Sequence, residues 1–242
     1  MTDFQREKAL VRAYHADLAK ADPATVEDVL KRYVAPEWHW RGMHPFDEQR
    51  GPEAVAREFW RPLMSSLRRL QRRPDIFIAG ANEIEDVGGR WVVQMGHLMG
   101  LFDRPWLGIR HTLRIAMLRF AEFNRVENDR IVATAMFVDI PHLMMQAGQN
   151  PFPPQSGAML VQPGPATHTG LCYEAQDPER SAATLHAINA LLANPPAKAR
   201  NQDEATRLAR VWHDDMLWWG PAGIGATYTI ERYLRQHSAP FD

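Results

Sequence analysis

Apolar positions recur at helical spacing over residues 4–20, where Leu10, Val11, Tyr14 and Leu18 predict an amphipathic helix with Thr2 or Asp3 as its cap. Asp22-Pro23 breaks this pattern, and Thr25 to Tyr33 reads as a second, shorter helix. Trp38-His39-Trp40 alternates as a brief aromatic strand, ended by Gly42 and by His44-Pro45. A third helix is expected from Ala54 to Leu70, opened by Gly51-Pro52-Glu53. Val55, Phe59, Leu63 and Leu67 form its inward stripe, and Arg61, Arg68 and Arg69 its wet side. Pro62 inside it predicts a kink or a division.

From Pro74 the pattern changes from helical to alternating. Asp75 to Glu85, Trp91 to Phe102, Arg114 to Val126 and Arg130 to Ile140 read as four long antiparallel strands. Val87-Gly88-Gly89-Arg90 and Glu127-Asn128-Asp129 supply hairpin turns, and Asp103 to Gly108 is a loop. In the second strand Trp91, Val93, Met95, His97, Met99 and Leu101 share one face. Gly96 and Gly100 on the other imply close packing or strong curvature. Helices followed by long strands predict an α+β fold in which a curved antiparallel sheet wraps around three helices.

Residues 149–165 are rich in Pro, Gly and Gln and read as a linker or wrapping arm. Two helices follow, Ser181 to Ala193, stopped by Asn194-Pro195-Pro196, and Asp203 to Met216. A faint internal repeat joins the two ends of the chain: helix, aromatic strand, glycine turn and helix occur over Val29–Leu67 and again over Ala205–Gln236. Trp40-Arg41-Gly42 then corresponds to Trp218-Trp219-Gly220, and Phe59 to Tyr233. The second copy reaches Asp242 before any long strand. The expectation is either a truncated two-domain chain or C-terminal helices that pack on the first domain or on a partner.

Composition narrows the classes. Hydrophobic residues make up 45% of 242 positions, enough for a sizeable core. Lys+Arg 28 against Asp+Glu 29 leaves a net charge of -1, so no basic footprint points to nucleic acid or to an anionic membrane. No apolar run reaches the roughly 18–20 residues of a membrane span, and the mixed-charge N-terminus is not a secretory signal. With Cys172 alone no intrachain disulfide can form, and a cytoplasmic setting is the expectation. The ten His include no metal-type spacing, and no nucleophile-elbow motif is present. Gly220 to Gly225 lacks the spacing of a phosphate loop. Neither a metal nor an organic cofactor is expected.

Several segments together resemble the SnoaL-like polyketide cyclases of the nuclear transport factor 2-like superfamily. They are Glu122-Phe-Asn-Arg-Val-Glu-Asn-Asp-Arg-Ile131, Phe137-Val-Asp-Ile-Pro-His142, Gln146-Ala-Gly148, and Trp40-Arg-Gly with His44-Pro45. The resemblance implies a cone-shaped domain over residues 1–148, an arm over 149–180, and in 181–242 the beginning of a second such domain. It also implies a homodimer paired through the outer sheet face. The chemistry it implies is a cofactor-free intramolecular aldol cyclisation of a hydrophobic, oxygenated small molecule, driven by an acid/base Asp on the last strand and a His on the strand before. Transferred by motif, the His position falls on Glu122 and the Asp position on Met136, which cannot move a proton.

Glu122 shares its strand face with Leu118 and Phe120, so desolvation is expected to raise its pKa and suit it to general acid/base work; the alternative is pairing with Arg114, Arg119 or Arg125. His97 is the candidate polarising partner, or else a satisfied core histidine. Trp40, His44, Trp60, Trp106 and Met136 are the candidate substrate contacts, with Trp106 at a pocket mouth; Trp residues are also simply core. Asp139 is expected to cap the helix starting near Pro141. A related isomerase or lyase step, such as dehydration or double-bond migration, needs the same carboxylate in the same pocket; against any enzyme stands a non-catalytic binding or dimerisation module that keeps the pocket and has lost the acid/base group.

Overall fold

The computed structural model describes residues 4–84, 87–159, 164–165, 167–193 and 202–238, so the expectations placed on Thr2, Asp3, Glu85 and Asn194-Pro195-Pro196 lie outside the described residues. The chain divides into two compact units. One comprises residues 2–149 and 163–175; the other comprises 150–162 and 176–242. The Pro-rich arm is therefore shared between them, which sequence composition did not distinguish.

In the first unit, α1 (Gln5–Leu18) and α2 (Val26–Tyr33) bury Val11, Tyr14, Leu18, Val29 and Leu30. The Asp22 carboxylate accepts from the Ala24 and Thr25 amides at 2.9 Å and closes the turn before α2. β1 (Val34–Gly42) and β2 (Glu48–Arg50) form a hairpin, and α3 (Gly51–Val55) opens with Pro52 in its first turn, where the missing N–H costs nothing. A π-turn over Ala56–Trp60 then leads into α4 (Arg61–Ser66). Pro62 can donate no amide to the turn before it, and the widened turn accommodates this defect. The helix ends at Ser66 rather than Leu70, so Arg68 and Arg69 sit on a strand.

Four strands follow: β3 (Leu67–Ala81), β4 (Arg90–Phe102), β5 (Arg114–Glu127) and β6 (Arg130–Val138), then α5 (Ile140–Gln146). The sheet order is β2-β1-β6-β5-β4-β3. Long strands pair antiparallel as expected, but β1 lies parallel to β6, with Trp40 opposite Thr134 and Gly42 opposite Met136. A parallel pairing between the two ends of the unit is invisible to local patterning, because it depends on how the helices return the chain to the sheet.

β3 carries two bulges, between Arg68 and Gln71 and between Pro74 and Ile76. The first takes Arg69 to φ 53° and keeps both Leu67 and Leu70 on the inner side, three residues apart. At the second, a Cβ on Gly96 would overlap the Arg73 carbonyl, so only glycine lets the strands approach this closely. The inner face buries Trp38, Trp40, Phe59, Trp60, Phe102, Leu118 and Phe120 against the helices. Residues 170–172 extend the β3 edge through Phe77: the Phe77 amide donates to the Gly170 carbonyl at 2.8 Å and the Cys172 amide to the Phe77 carbonyl at 2.9 Å. This part of the arm wraps the first unit.

The second unit contains α6 (Pro178–Ala193), α7 (Gln202–Leu208), the hairpin β7 (Leu217–Trp218) and β8 (Thr227–Tyr228), α8 (Thr229–Tyr233), and a π-turn over Leu234–Ser238. The helix expected over Asp203–Met216 ends at Leu208.

Candidate functional site

Along β5 the even-numbered positions from Ala116 to Val126 point inward and are buried. Glu122 is among them, 1% exposed, opposite Gln94 on β4 and Met136 on β6. Its partners come from elements that the sequence did not suggest. Arg72 Nη1 donates to Glu122 Oε2 at 2.5 Å, and His15 Nε2 lies 3.0 Å from the same oxygen. Arg72 Nη1 also donates to Gln94 Oε1 at 3.0 Å. The Arg72 guanidinium lies 4.7 Å from the Phe120 ring centre and 5.9 Å from that of Trp60.

Electrostatics then decides the protonation states. Burial pushes the Glu122 carboxyl up, but the charges and hydrogen bonds of Arg72 and His15 outweigh it and hold the carboxyl at about 2. The expected rise towards neutrality is thus corrected: desolvation is present, but a buried cation at hydrogen-bond distance wins. For His15 burial lowers the pKa, the Arg72 charge lowers it further, and Glu122 opposes both with a smaller effect. His15 is therefore a neutral imidazole at physiological pH. Its Nε2–H donates to the carboxylate, which fixes the tautomer and leaves the Nδ1 lone pair without a partner among the described residues. Arg72 Nη2, Trp60 Nε1 and Asn124 Nδ2 are likewise buried and unpartnered there. Beside them, Trp38 Nε1 donates to Thr134 Oγ1 at 3.0 Å, and Thr134 Oγ1 donates to Asn124 Oδ1 at 2.7 Å.

The other sequence candidates divide. Trp60 and Met136 border this cluster: Trp60 is 1% exposed, and so is Met136, directly across from Glu122. Trp40 is packed into the core, its ring 5.2 Å from Phe59. Trp106, expected at a pocket mouth, is instead buried and stacked on Phe46 at 5.8 Å; its loop folds back because Trp106 and Ile109 pair through their backbones. His44 is the reverse case, with a side chain 89% exposed near Asp47.

His97 does not reach Glu122. It pairs with Arg119 across the β4–β5 ladder, on odd-numbered positions, whereas Glu122 pairs with Gln94, so the two lie on opposite faces of the sheet. His97 is buried on the outer side, its Nδ1 3.4 Å from Asp75, the residue that bulges out of β3. Glu122 likewise pairs with none of the arginines proposed on its own strand. Asp139 caps α5, accepting from the His142 amide at 3.0 Å.

Two signals could have found the missing partners. His15 follows Val11 by four residues on the buried face of α1, where a histidine among apolar residues is conspicuous. Arg72 alternates with Leu70 and Pro74, but the bulge hides that phase from a reading that begins the strand at Asp75.

A cleft of about 420 Å³ opens between the end of α1, α4 and the start of β3, and none of His15, Trp60, Arg72 or Glu122 lines it. Its lining includes Ala19, one helical turn after His15; Met64, one turn after Trp60; and Leu70, one pleat before Arg72. Arg68, Arg69 and Arg104 also line it, Arg68 in an ion pair with Asp103. A second concavity, about 480 Å³, sits on the outer sheet face between Ile78, Val93, Trp91, Phe123 and Phe137. Among the described residues no three His, Cys, Asp or Glu side chains converge as a metal site requires, and no helix is long and apolar enough to cross a membrane.

No family model matches the chain, and no curated relative does. Solved structures do show similarity. A protein from Jannaschia sp. CCS1, proposed as a SnoaL-like polyketide cyclase, is 17% identical, with 62% of this chain and 94% of that one covered, at a TM-score of 0.45. IdmH from Streptomyces antibioticus, proposed as a polyketide cyclase, is 16% identical over 57% of this chain and 97% of its own, at a TM-score of 0.46. An NTF2-like protein of unknown function from Burkholderia pseudomallei is 19% identical over 60% and 98%, at 0.43. The likeness is one of fold, an α+β arrangement of helices on a curved sheet. It says nothing of substrate or activity.

Proposed function

We propose that the first unit is a cofactor-independent acid/base enzyme of the polyketide-cyclase type, acting on a hydrophobic, oxygenated small molecule with His15 as its base. The single observation that carries this reading is the buried His15–Glu122–Arg72 cluster, whose His15 Nδ1 and Arg72 Nη2 are both unpartnered among the described residues. Glu122 is too acidic to serve as the base. It orients the imidazole and stabilises the imidazolium that forms when Nδ1 takes a proton from a methylene flanked by carbonyls. Arg72 Nη2 and Trp60 Nε1 are the donors for the enolate oxygen. The enolate carbon attacks a carbonyl in the same molecule, and the proton held on Nδ1 passes to the new alkoxide. Substrate enters by the cleft over Ala19, Met64 and Leu70, and its arginine-lined rim suits an acidic group on the substrate.

A second reading, binding without turnover, is favoured by Met136 standing across from Glu122, where the resemblance places an acid/base group. The two readings part on deuterium exchange at the central methylene carbon of a 3,5-dioxo-hexanoate probe, followed by NMR. The enzyme reading expects the wild-type chain to accelerate this exchange, His15→Asn to lose roughly 10²–10⁴ of the acceleration, and His97→Gln to keep it. Wild-type exchange at the buffer rate, or an unimpaired and folded His15→Asn, would overturn it in favour of binding.

A further inference from the structure

The faint repeat in the sequence becomes an in-register duplication in the structure. Trp40 and Trp218, Gly42 and Gly220, Glu53 and Glu231, and Arg57 and Arg235 are all separated by 178 positions. The backbone keeps that spacing without a gap. Phe46 N donates to Met43 O at 2.9 Å, and Ile224 N to Pro221 O at 3.1 Å. Asp47 and Gly225 both have positive φ, 50° and 83°, and so do the first helical residues Gly51 and Thr229, at 76° and 61°. A left-handed threonine opening a helix is uncommon, and Thr229 adopts this conformation at the position that matches Gly51. The π-turn over Ala56–Trp60 recurs over Leu234–Ser238. A Cβ on Gly42 would overlap the Trp40 ring, and one on Gly220 the Trp218 ring. The same spacing matches Phe59 with His237, whose ring lies 3.9 Å from that of Trp218, and so corrects the sequence pairing of Phe59 with Tyr233.

What differs between the copies is what covers them. In the first unit this helix-and-hairpin layer is closed by the long sheet: β1 pairs with β6, and Val34, Trp38, Trp40 and Phe59 are 2%, 0%, 1% and 0% exposed. In the second unit the equivalents Trp212, Met216, Trp218 and His237 are all only half-buried. β7 pairs with β8 on one side, and no strand longer than two residues occurs among the unit's described residues. α6 buries no residue, and Leu185, Ile188 and Leu192, one stripe at helical spacing, are 44%, 44% and 70% exposed.

We infer that residues 204–238 form a docking layer for a long-stranded antiparallel sheet of the β3–β6 kind, contributed by polypeptide other than residues 1–242. The occupant presents an apolar concave face to Met216 and Trp218 and runs its end strand parallel to β7. The first unit states the chemistry of this occupant, because there the same layer binds such a sheet. A second copy of this chain is a poor occupant, since its own β3–β6 sheet is already filled by its own helices.

The test supplies such a sheet in tethered form. Residues 65–149 of this chain are appended directly after Asp242, which keeps the 178-residue spacing, and amide hydrogen exchange is compared with that of the unmodified chain. Docking predicts that the 216–219 amides slow by about a hundredfold, that residues 5–149 keep their protection, and that Gly220→Val in the fusion abolishes the slowing. Unchanged exchange at 216–219 in the fusion would overturn the inference. So would an unmodified chain that sediments as a dimer with those amides already protected, because a second copy would then be the occupant.

Discussion

Two carboxylate–imidazole pairs lie on opposite faces of one sheet. On the inner face Glu122 and His15 are 3.0 Å apart, with Arg72 bonded to the same carboxylate oxygen. On the outer face Asp75 and His97 are 3.4 Å apart, and the Asp75 carboxylate also accepts from the Gly164 amide at 3.1 Å. The residue types match; the surroundings do not. The inner carboxylate is 1% exposed and neutralised by a buried cation, while the outer one retains 19% of its side-chain exposure. A histidine beside a carboxylate is therefore not in itself a signature of a site. What singles out the inner pair is the third, cationic partner, since a ring nitrogen is buried and unpartnered among the described residues on both faces, His15 Nδ1 and His97 Nε2 alike.

The largest expected break in this comparison is Arg72→Met. Removing the cation leaves a carboxylate buried without its charge partner, and such truncations cost roughly 3–5 kcal/mol. Urea unfolding measures this directly, and a loss below about 1 kcal/mol would show that the inner pair does not depend on Arg72.

Next in size is the response to acid. Glu122 and His15 both have folded pKa values below their unfolded ones, so each contributes stability that is complete above its unfolded pKa and lost on descending towards its folded value. Thermal melts should be flat above pH 6.5, begin to fall below it as His15 is forced to charge, and fall again between 4.5 and about 2 as Glu122 protonates. The Glu122 step is on the order of 3 kcal/mol. His15→Gln should erase the upper step and keep the lower; an unaltered profile would refute the assignment.

Smallest is His97→Gln, expected to cost about 1 kcal/mol or less by loss of its contact with Asp75. It should leave the pH profile of the inner pair in place. A change in that profile would mean that the two faces are coupled through the sheet.

Much of the architecture was legible along the chain. Periodicity placed the first two helices, the last three of the four long strands and the division at Pro62, because each depends on neighbours within a few residues; β3 begins at Leu67, eight residues before the expected Asp75. Trp40, Gly42 and their counterparts 178 positions on were also visible as a motif. Glu122 stood out by its apolar strand neighbours, and its face was read correctly from alternation.

Its partners were not legible. Arg72 points inward because of a bulge that shifts the strand by one residue, and His15 meets Glu122 only because α1 crosses the inner face of β4 and β5. The sign of the Glu122 shift followed from that meeting: burial, which the sequence does suggest, acts in one direction, and a cation brought from 50 positions away acts in the other. Local pattern thus determined which residues share a face. Only the tertiary structure decided which charges share a hydrogen bond, because Coulomb interactions between distant segments depend on distances that no local period encodes.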